Sequence, residues 1–191
     1  FDPSSYKTAL CVVQEIVRRG TVSIGALDIG GGFPAAYPNM RPPPLAEFVK
    51  EIVEGARTIK LGDDIALMCE PGRALVADGV SLVAQIYLRR GDRLYINDGI
   101  FGSFSESSFN DYQLPIRLIR GNEGTKKAQR PFTVFGPTCD SNDRLSQLVD
   151  LPEDAGEGDW IEFSLLGAYS NALKTNFNGF GGCRFVEIDE I

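Results

Sequence analysis

The stretch of sequence that determines the fold class is VSIGALDIGGG, which runs from Val22 to Gly32. Its first part, Val22 to Ile29, is mostly apolar and predicts a short buried β-strand. The glycine triplet Gly30 to Gly32 follows immediately and ends that strand. A short apolar strand that stops at a glycine-rich turn is typical of a parallel sheet in an α/β protein.

Helical patterns flank this strand on both sides. Before it, apolar residues recur at helical spacing over Tyr6–Val17, behind an Asp2-Pro3 pair that suits a helix start. After it, a second helical pattern follows Pro44, and Ile65–Cys69 is another short apolar strand. Alternating helices and buried strands predict a parallel α/β architecture, in which ligands bind at the C-terminal ends of the strands.

The periodicity changes at Val80, where strand-like segments separated by short turns replace the helices. The segments predicted as strands are Val80–Leu88, Arg93–Asn97, Ile116–Ile119, Phe132–Phe135, Trp160–Ser164 and Arg184–Ile188. The sequence therefore predicts two domains: an α/β part over residues 1–80 and a mostly antiparallel β-domain over residues 81–191.

Composition limits the partners of the chain. With 19 Lys and Arg against 26 Asp and Glu, the net charge is −7, which disfavours binding to a nucleic-acid backbone. No apolar run is long enough to cross a membrane, and the opening segment lacks the features of a signal peptide. Four widely spaced cysteines favour a reducing compartment over a disulfide framework. We therefore expect a cytoplasmic protein with neither a membrane nor a nucleic-acid partner.

Two turns at predicted strand ends carry groups that suit a phosphorylated ligand. Gly30 to Gly32 would let backbone N–H groups surround a phosphate, although a tight turn explains the glycines alone more simply. Glu70-Pro71-Gly72-Arg73 follows the next strand, so its charged groups are expected at the same edge. Taken alone, this tetrapeptide fits a surface turn with an ion pair. Arginine suits phosphate chelation, and a carboxylate can hold a partner nitrogen in its protonated form.

Loops of the predicted β-domain carry further candidate groups. Gly136-Pro-Thr-Cys-Asp-Ser141 places a thiol beside a carboxylate. Because the chain has no histidine, papain-like catalysis is disfavoured, and an ordinary loop thiol is the simpler interpretation. Gly167–Ser170 and Asn176–Phe180, taken alone, fit packed turns. The acidic segment Glu153–Asp159 does not match a calcium loop, so no metal site is predicted.

Together, and in this order, these segments resemble the alanine-racemase-like, fold-type III pyridoxal-phosphate decarboxylases, above all the ornithine decarboxylase group. The matching segments are Leu27–Pro34, Cys69–Arg73, Asn97–Ser103, Gly136–Ser141, Gly167–Tyr169 and Phe177–Phe180. Each segment is a weak signal, but their collinearity is specific. The resemblance implies the C-terminal part of a TIM-like (β/α)8 barrel that binds pyridoxal 5′-phosphate, followed by a β-domain. It also implies a head-to-tail homodimer with active sites shared between subunits.

The resemblance assigns roles at the cofactor. The residues implied in cofactor binding are Gly30, Gly31, Gly32, Glu70, Gly72, Arg73 and Tyr169. Among them, the glycines, Arg73 and the Tyr169 hydroxyl would hold the phosphate group. Glu70 would pair with the pyridine nitrogen and keep it protonated, which makes the ring a stronger electron sink.

The resemblance also assigns roles at the substrate. Cys139 would donate a proton to the carbon that loses CO2, and Asp140 would bind the distal ammonium group, both in the partner subunit's site. Phe177 would line the pocket. A second acid for the distal amine falls at Asn110 or at the adjacent Asp111 by an ungapped count, and of the two only Asp111 is acidic.

The implied activity is decarboxylation of a basic amino acid, with L-ornithine giving putrescine in polyamine biosynthesis as the first choice. Lysine and diaminopimelate are alternative substrates, although Asp140 would repel the tail carboxylate of diaminopimelate. A non-catalytic regulatory homologue and a phosphate-binding barrel enzyme without pyridoxal phosphate remain further alternatives. By the layout of the family, the Schiff-base lysine and the first half of the barrel lie upstream of Phe1. We therefore expect this chain alone to be inactive.

Overall fold

The computed structural model describes residues 1–21, 23–59, 65–121 and 127–188. The chain divides into two compact units, Phe1–Ala36 with Met40–Val76 and Tyr37–Asn39 with Ala77–Ile191. None of the helices in the described ranges combines the length and the apolar character that spanning a bilayer requires.

The first unit alternates helices with parallel strands, as the sequence predicts. Its elements are α1 (Ser4–Arg19), β1 (Ala26–Asp28), α2 (Leu45–Thr58), β2 (Ala66–Met68) and α3 (Arg73–Val76). β1 and β2 pair in parallel, with Leu27 opposite Leu67. A small core of Phe33, Phe48 and Ile52 forms between the loop after β1 and one face of α2.

Both strands of this unit are shorter and more exposed than predicted. β1 covers only three residues of the segment predicted as a strand, and Val22 of that segment lies outside the described residues. In β2, Leu67 is 42% exposed and Met68 is 54% exposed, so the prediction of a buried strand is wrong here. The physical reason is that, within the described residues, the parallel sheet has only two strands, so β2 lacks the further strands and packed layers that bury both faces of a larger parallel sheet.

The second unit is a six-stranded mixed sheet. Its strands are β3 (Leu82–Arg90), β4 (Arg93–Ile96), β5 (Ile116–Ile119), β6 (Gln129–Phe135), β7 (Val149–Pro152) and β8 (Trp160–Phe163). They lie in the order β5-β8-β3-β4-β6-β7, and β5 and β7 also approach each other, so the sheet nearly closes. β4 and β6 are parallel and the other neighbours are antiparallel, as predicted for a mostly antiparallel domain.

Side chains point alternately inwards and outwards along the strands, and the inward-pointing ones build the core of this unit. The residues that point inwards include Ala84, Ile86, Leu94, Ile96, Phe132, Val134, Ile161 and Phe163, and each is at most 1% exposed. Phe104, from the loop after β4, packs edge-on against Phe163 with ring centroids 4.7 Å apart. This ring contact fastens the loop after β4 to the core, and the same loop carries the candidate site residue Asp111.

Two strand assignments differ from the sequence prediction. The predicted strand Arg184–Ile188 is wrong, because the segment is irregular and pairs with no strand among the described residues. Phe185 and Val186 are 67% and 68% exposed there, so strand propensity finds no partner to act on. Conversely, β7 was not predicted, and it forms because Val149 lies opposite Phe132 on β6 and buries its side chain.

Candidate active site

The glycine triplet forms a turn directly after β1. Gly30 and Gly32 have φ angles of 74° and 95°, a left-handed region in which residues with a Cβ are strained. The Gly30 N–H donates to the Asp28 carboxylate at 2.8 Å. At Gly31, an added Cβ would lie 3.0 Å from the carbonyl oxygen of Glu70. The glycine triplet is therefore needed for two reasons: the turn has left-handed backbone at Gly30 and Gly32, and the chain at Gly31 comes close to the backbone of Glu70.

Glu70 follows β2 and is joined to this turn through the backbone. The pairing of β1 with β2 continues beyond the strands. The Ile29 N–H donates to the Met68 carbonyl at 3.0 Å, and the Glu70 N–H donates to the Gly30 carbonyl at 2.9 Å. Gly72 N–H then donates to the Glu70 carbonyl at 2.9 Å. This tight turn leads straight into α3, whose first residue is Arg73.

The structure thus brings the two predicted turns together at one end of the β1–β2 pair. Glu70 is exposed and Arg73 is half-buried. An open cleft of about 300 Å³ adjoins the glycine turn, and its lining includes Tyr6, Gly31 and Phe48. Tyr6 borders the turn through its hydroxyl, which donates to the Gly31 carbonyl at 2.5 Å.

This set of groups fits a phosphorylated nitrogen heterocycle. Gly31 and Gly32 are exposed and carry no side chain, whereas the Gly30 N–H is already donated to Asp28. The guanidinium of Arg73 begins the neighbouring helix, and Glu70 supplies a carboxylate three residues before it. Backbone amides and arginine bind phosphate, while a carboxylate binds a protonated ring nitrogen. The residues present are therefore those that pyridoxal phosphate needs on this side.

In the second unit, Cys139 and Asp140 lie in the loop after β6. Cys139 is exposed, and its Sγ accepts a hydrogen bond from the side-chain amide of Asn178 at 3.2 Å. Asp140 is half-buried, and its carboxylate accepts the N–H of Asn142 at 2.8 Å. The structure thus gives the predicted proton donor, Cys139, and the predicted substrate-binding residue, Asp140, defined positions in one loop.

A buried carboxylate that the sequence did not single out organises this loop. Asp143 is 1% exposed and accepts hydrogen bonds from the Thr138 N–H at 3.0 Å and hydroxyl at 2.7 Å. It also accepts the Ile100 N–H at 2.9 Å, which joins the loop to the one after β4. An added Cβ at Gly99 or Gly136 would lie 2.1 or 2.2 Å from this carboxylate, so both glycines make room for it.

A second buried carboxylate, Asp98, shapes the loop after β4. It accepts the N–H groups of Gly99 and Ser103 at 2.8 and 2.9 Å, and the Ser103 hydroxyl at 2.7 Å. The ammonium of Lys174 lies 3.6 Å from it, and both side chains are less than a tenth exposed. Asp98 therefore links this loop to the C-terminal segment through a buried ion pair.

Phe177 begins a 3₁₀ turn, Phe177–Gly179, in that C-terminal segment. Its ring packs on Phe101 with centroids 4.7 Å apart and is 42% exposed. Thr175 donates its N–H and its hydroxyl to the Phe101 carbonyl at 3.0 and 2.7 Å. The turn that carries Phe177 is therefore held over the loop after β4.

The remaining predicted residues lie elsewhere in the second unit. Asp111 is exposed, and its carbonyl accepts the Asn39 side-chain amide at 2.7 Å. The side-chain NH2 group of Asn110 donates to Glu106 at 3.1 Å, and of the two residues only Asp111 carries a carboxylate that can pair with a cation. Tyr169 is 49% exposed and has a φ of 59°, an uncommon conformation for a bulky residue.

Sequence reasoning missed the groups that support the site. Asp98, Asp143, Lys174 and Asn178 lie within or next to the matching segments, but nothing in their spacing predicts that the first three are buried. The signal that could have indicated the buried carboxylates is the presence of nearby glycines. Gly99 and Gly136 approach Asp143, and Gly102 approaches Asp98.

The fold and the site define an α/β-plus-β protein with a glycine turn at the C-terminal ends of two parallel strands. Residues 53–167 match the family model described as the C-terminal sheet domain of pyridoxal-dependent decarboxylases. Residues 2–77 match the model described as the pyridoxal-binding domain of the same enzymes. The chain belongs to the pyridoxal-dependent decarboxylase family, and the resemblance read from the sequence is confirmed.

Individual relatives agree with this assignment. The ornithine decarboxylase of Schizosaccharomyces pombe is 30% identical over 205 residues, which cover 99% of this chain and 45% of that protein. Antizyme inhibitor 2 of Xenopus laevis is 29% identical, over 94% of this chain and 43% of that protein. The solved structure of the Vibrio vulnificus lysine/ornithine decarboxylase complexed with cadaverine has a TM-score of 0.80 at 33% identity. That match covers 99% of this chain and 52% of the solved chain.

These comparisons confirm the fold class and the cofactor. The fold is the C-terminal part of a TIM-like barrel followed by a mostly antiparallel β-domain. The cofactor of the family is pyridoxal phosphate. The chain spans about half the length of the curated relatives it matches.

Proposed function

We propose that this chain is the C-terminal part of a pyridoxal-phosphate-dependent decarboxylase that acts on a basic amino acid, with L-ornithine as substrate and putrescine as product. The observation that carries the proposal is the backbone hydrogen bond from the Glu70 N–H to the Gly30 carbonyl, which fixes the backbone of an acidic residue beside the glycine turn. Membership of the decarboxylase family and similarity to ornithine decarboxylases support it.

In this proposal the first unit binds the cofactor. When bound, pyridoxal phosphate accepts the electron pair that remains when the carboxylate leaves the substrate. The N–H groups of Gly31 and Gly32 and the guanidinium of Arg73 bind its phosphate, with the Tyr169 hydroxyl as a further donor, while the Gly30 N–H stays on Asp28 and fixes the turn. The Glu70 carboxylate accepts a hydrogen bond from the ring nitrogen and keeps a proton on it.

The second unit supplies the proton and the substrate contacts. A thiol can act as a general acid, so Cys139 delivers a proton to the carbon that has lost CO2. Phe177 lines the pocket with its exposed ring, and Asp140 binds the distal ammonium group of the substrate. Asp111 is the second acid for that group.

Selectivity follows from the charge of Asp140. A half-buried carboxylate gains a charge-assisted hydrogen bond from an ammonium group and repels a carboxylate. Ornithine and lysine carry only the ammonium on their tails, whereas diaminopimelate carries a carboxylate as well. Asp140 therefore favours the simpler basic amino acids. Ornithine comes first because the relatives that match nearly the whole chain include ornithine decarboxylases and a lysine/ornithine decarboxylase, and ornithine is common to their names.

We further propose that the full-length protein is a cytoplasmic homodimer of polyamine biosynthesis. In it, Cys139 and Asp140 of each subunit complete the site formed by the first unit of the other. Relatives of about twice this length support the view that the remaining barrel strands and the Schiff-base lysine belong to the full-length protein.

A substrate panel tests this proposal. The full-length protein is assayed with ornithine, lysine, arginine and diaminopimelate, alongside Asp140→Asn and Asp150→Asn. Asp150 is an exposed carboxylate on β7 and serves as the matched control. We expect a preference for ornithine that Asp140→Asn reduces at least about tenfold in kcat/KM and Asp150→Asn leaves unchanged. A preference for diaminopimelate would contradict the assignment of Asp140.

A second candidate function is a non-catalytic regulator of an active decarboxylase. The 29% identity to antizyme inhibitor 2 supports it. The presence of Glu70, Arg73 and Cys139 together favours the enzyme, because a regulator does not need these three groups. The coding sequence upstream of Phe1 distinguishes the two: a Schiff-base lysine is expected for the enzyme, and its absence would favour the regulator.

A further inference from the structure

We infer that Asn178 is a positioning residue for Cys139. Its side-chain amide holds the thiol sulfur, so that the S–H proton points to the reacting carbon and the sulfur is stabilised once that proton has left. This inference rests on the proposed function, in which Cys139 is the proton donor. The observation behind it is the 3.2 Å hydrogen bond from Asn178 Nδ2 to Cys139 Sγ, which joins residues far apart in the chain.

The backbone of Asn178 explains why this residue type occurs here. Its φ and ψ are 52° and 17°, inside the left-handed region. Glycine and asparagine are the residues that adopt this conformation most readily. Glycine would serve the turn alone, but only asparagine also supplies an amide that reaches Cys139.

The turn that carries Asn178 is fastened on several sides. Thr175 donates twice to the Phe101 carbonyl, and Phe177 packs on the Phe101 ring. The Asn176 side chain accepts the N–H of Gly181 at 3.1 Å, which closes the turn from its other end. Asn178 is therefore held in place independently of its contact with the thiol.

The loop that carries Cys139 is anchored to the same part of the second unit. Asp143 accepts hydrogen bonds from Thr138 in that loop and from Ile100 in the loop after β4. The ion pair between Asp98 and Lys174 joins the loop after β4 to the segment before the turn. Because both partners are anchored to one base, the contact between Asn178 and Cys139 is a defined geometry rather than a chance approach of two free loops.

The direction of this hydrogen bond matters for the proton. The amide donates and the sulfur accepts, so the S–H hydrogen is not engaged with Asn178 and points away from it. In the step it serves, the S–H bond breaks, a C–H bond forms, and the sulfur keeps the electron pair as a thiolate. The Asn178 N–H stabilises that thiolate until water returns a proton.

The first test measures the thiol itself and needs neither cofactor nor substrate. Alkylation of each cysteine by iodoacetamide is followed by peptide mass spectrometry in the full-length protein, at a pH about one unit above the usual thiol pKa of about 8.5. Cys11, Cys69 and Cys183 are also exposed and serve as internal references. Asn178→Gly preserves the backbone conformation and removes the amide. Asn176→Ala disturbs the same turn without touching Cys139 and is the matched control.

Because a thiolate must give up the donated N–H before it attacks, we expect Asn178→Gly to speed alkylation of Cys139 about fivefold. Asn176→Ala and the reference cysteines should keep wild-type rates. A Cys139 rate in Asn178→Gly equal to the Cys139 rate of the wild type, with each rate normalised to the reference cysteines, would overturn the inference. A protein without decarboxylase activity would instead refute the proposed function, and the alkylation result would still stand.

The second test examines proton delivery in the working enzyme. In D2O, a positioned donor places deuterium on one face of the carbon and gives a product of single configuration. We expect both Asn178→Gly and Cys139→Ala to give a mixture of configurations, with KM little changed in Asn178→Gly, whereas Asn176→Ala should keep one configuration. A single configuration from Asn178→Gly would overturn the positioning role.

Discussion

Glu70 and Gly30 are joined by a backbone hydrogen bond of 2.9 Å that continues the parallel pairing beyond the last residues of β1 and β2. As a result, the backbone that carries the Glu70 side chain is fixed beside the glycine turn without help from side-chain contacts. Arg73 follows within the same tight turn, at the start of α3. This backbone link supports a single site in which a phosphate and a ring nitrogen are bound by neighbouring groups.

The first prediction separates cofactor binding from turnover. Arg73→Ala removes a phosphate ligand, so we expect cofactor affinity to fall at least about tenfold while turnover recovers at saturating cofactor. Cys139→Ala removes the proton donor, so turnover should fall about a hundredfold or more at unchanged cofactor affinity. Cofactor titration and single-turnover kinetics on the full-length protein measure the two effects. The assignment fails if both variants show the same defect.

The second prediction concerns Tyr6, which supports the glycine turn from α1. Tyr6→Phe removes the hydrogen bond to the Gly31 carbonyl and should lower the free energy of unfolding by about 1 kcal/mol. Tyr87→Phe is the control, since Tyr87 is 60% exposed. Urea unfolding of the full-length protein measures both variants, and equal stability of Tyr6→Phe and wild type would show that the contact contributes nothing.

The pH dependence of this contact has a definite sign. Burial, with a smaller contribution from a negative charge at Cys69, raises the pKa of the Tyr6 phenol above its ordinary value of 10.0. The contribution of Tyr6 to stability is therefore complete below about pH 10 and is lost as pH rises through the higher folded-state pKa. The stability difference between wild type and Tyr6→Phe should shrink over that range. A difference that grows above pH 10 would contradict the assigned direction.

The sequence alone predicted the order of helices and strands well, because that order depends on the local periodicity of apolar residues. Pro44 precedes α2 as expected, and the predicted strand Ile116–Ile119 forms with the same bounds. Burial was less predictable, because it depends on which elements cover a strand. Leu67 and Phe185 are both apolar residues in short runs with strand propensity, yet both are exposed.

The candidate site likewise divides into residues that local sequence identifies and residues whose role depends on tertiary contacts. Gly30 to Gly32 and Glu70 were identified because a strand end followed by special residues is visible in the sequence. Asp98 and Asp143 were not, because a carboxylate in a loop is usually solvated and only the fold surrounds these two with N–H donors. Asn178 was quoted within a matching segment, but its contact with Cys139 depends on two distant loops meeting.

The third prediction concerns Asp143. Asp143→Asn keeps the shape but turns one acceptor into a donor, which would face the N–H groups that the carboxylate now accepts. We expect a loss of about 2 kcal/mol in the free energy of unfolding of the domain that contains it. The same change at exposed Asp150 should alter stability by less than about 0.5 kcal/mol. Equal effects of the two substitutions in urea unfolding would show that the burial of Asp143 has no energetic consequence.

The fourth prediction concerns the buried pair of Lys174 and Asp98. Lys174→Met keeps the apolar stem but leaves the Asp98 charge without its cation, so we expect a loss of about 2 to 3 kcal/mol. The double variant with Asp98→Asn should be less destabilised than the sum of the two single variants. Thermal or urea unfolding of all four proteins gives the coupling. Strict additivity would mean that the two side chains do not interact.

The most direct test of the central claim, that Arg73 and the glycine turn hold a phosphate while Glu70 faces the ring, compares two ligands. Binding of pyridoxal 5′-phosphate and of pyridoxal to the full-length protein is measured for wild type, Arg73→Gln and Glu70→Gln. We expect Arg73→Gln to reduce the preference for the phosphorylated ligand at least about tenfold, and Glu70→Gln to weaken both ligands while the preference stays. The claim is contradicted if Arg73→Gln weakens both ligands equally, or if Glu70→Gln removes the preference.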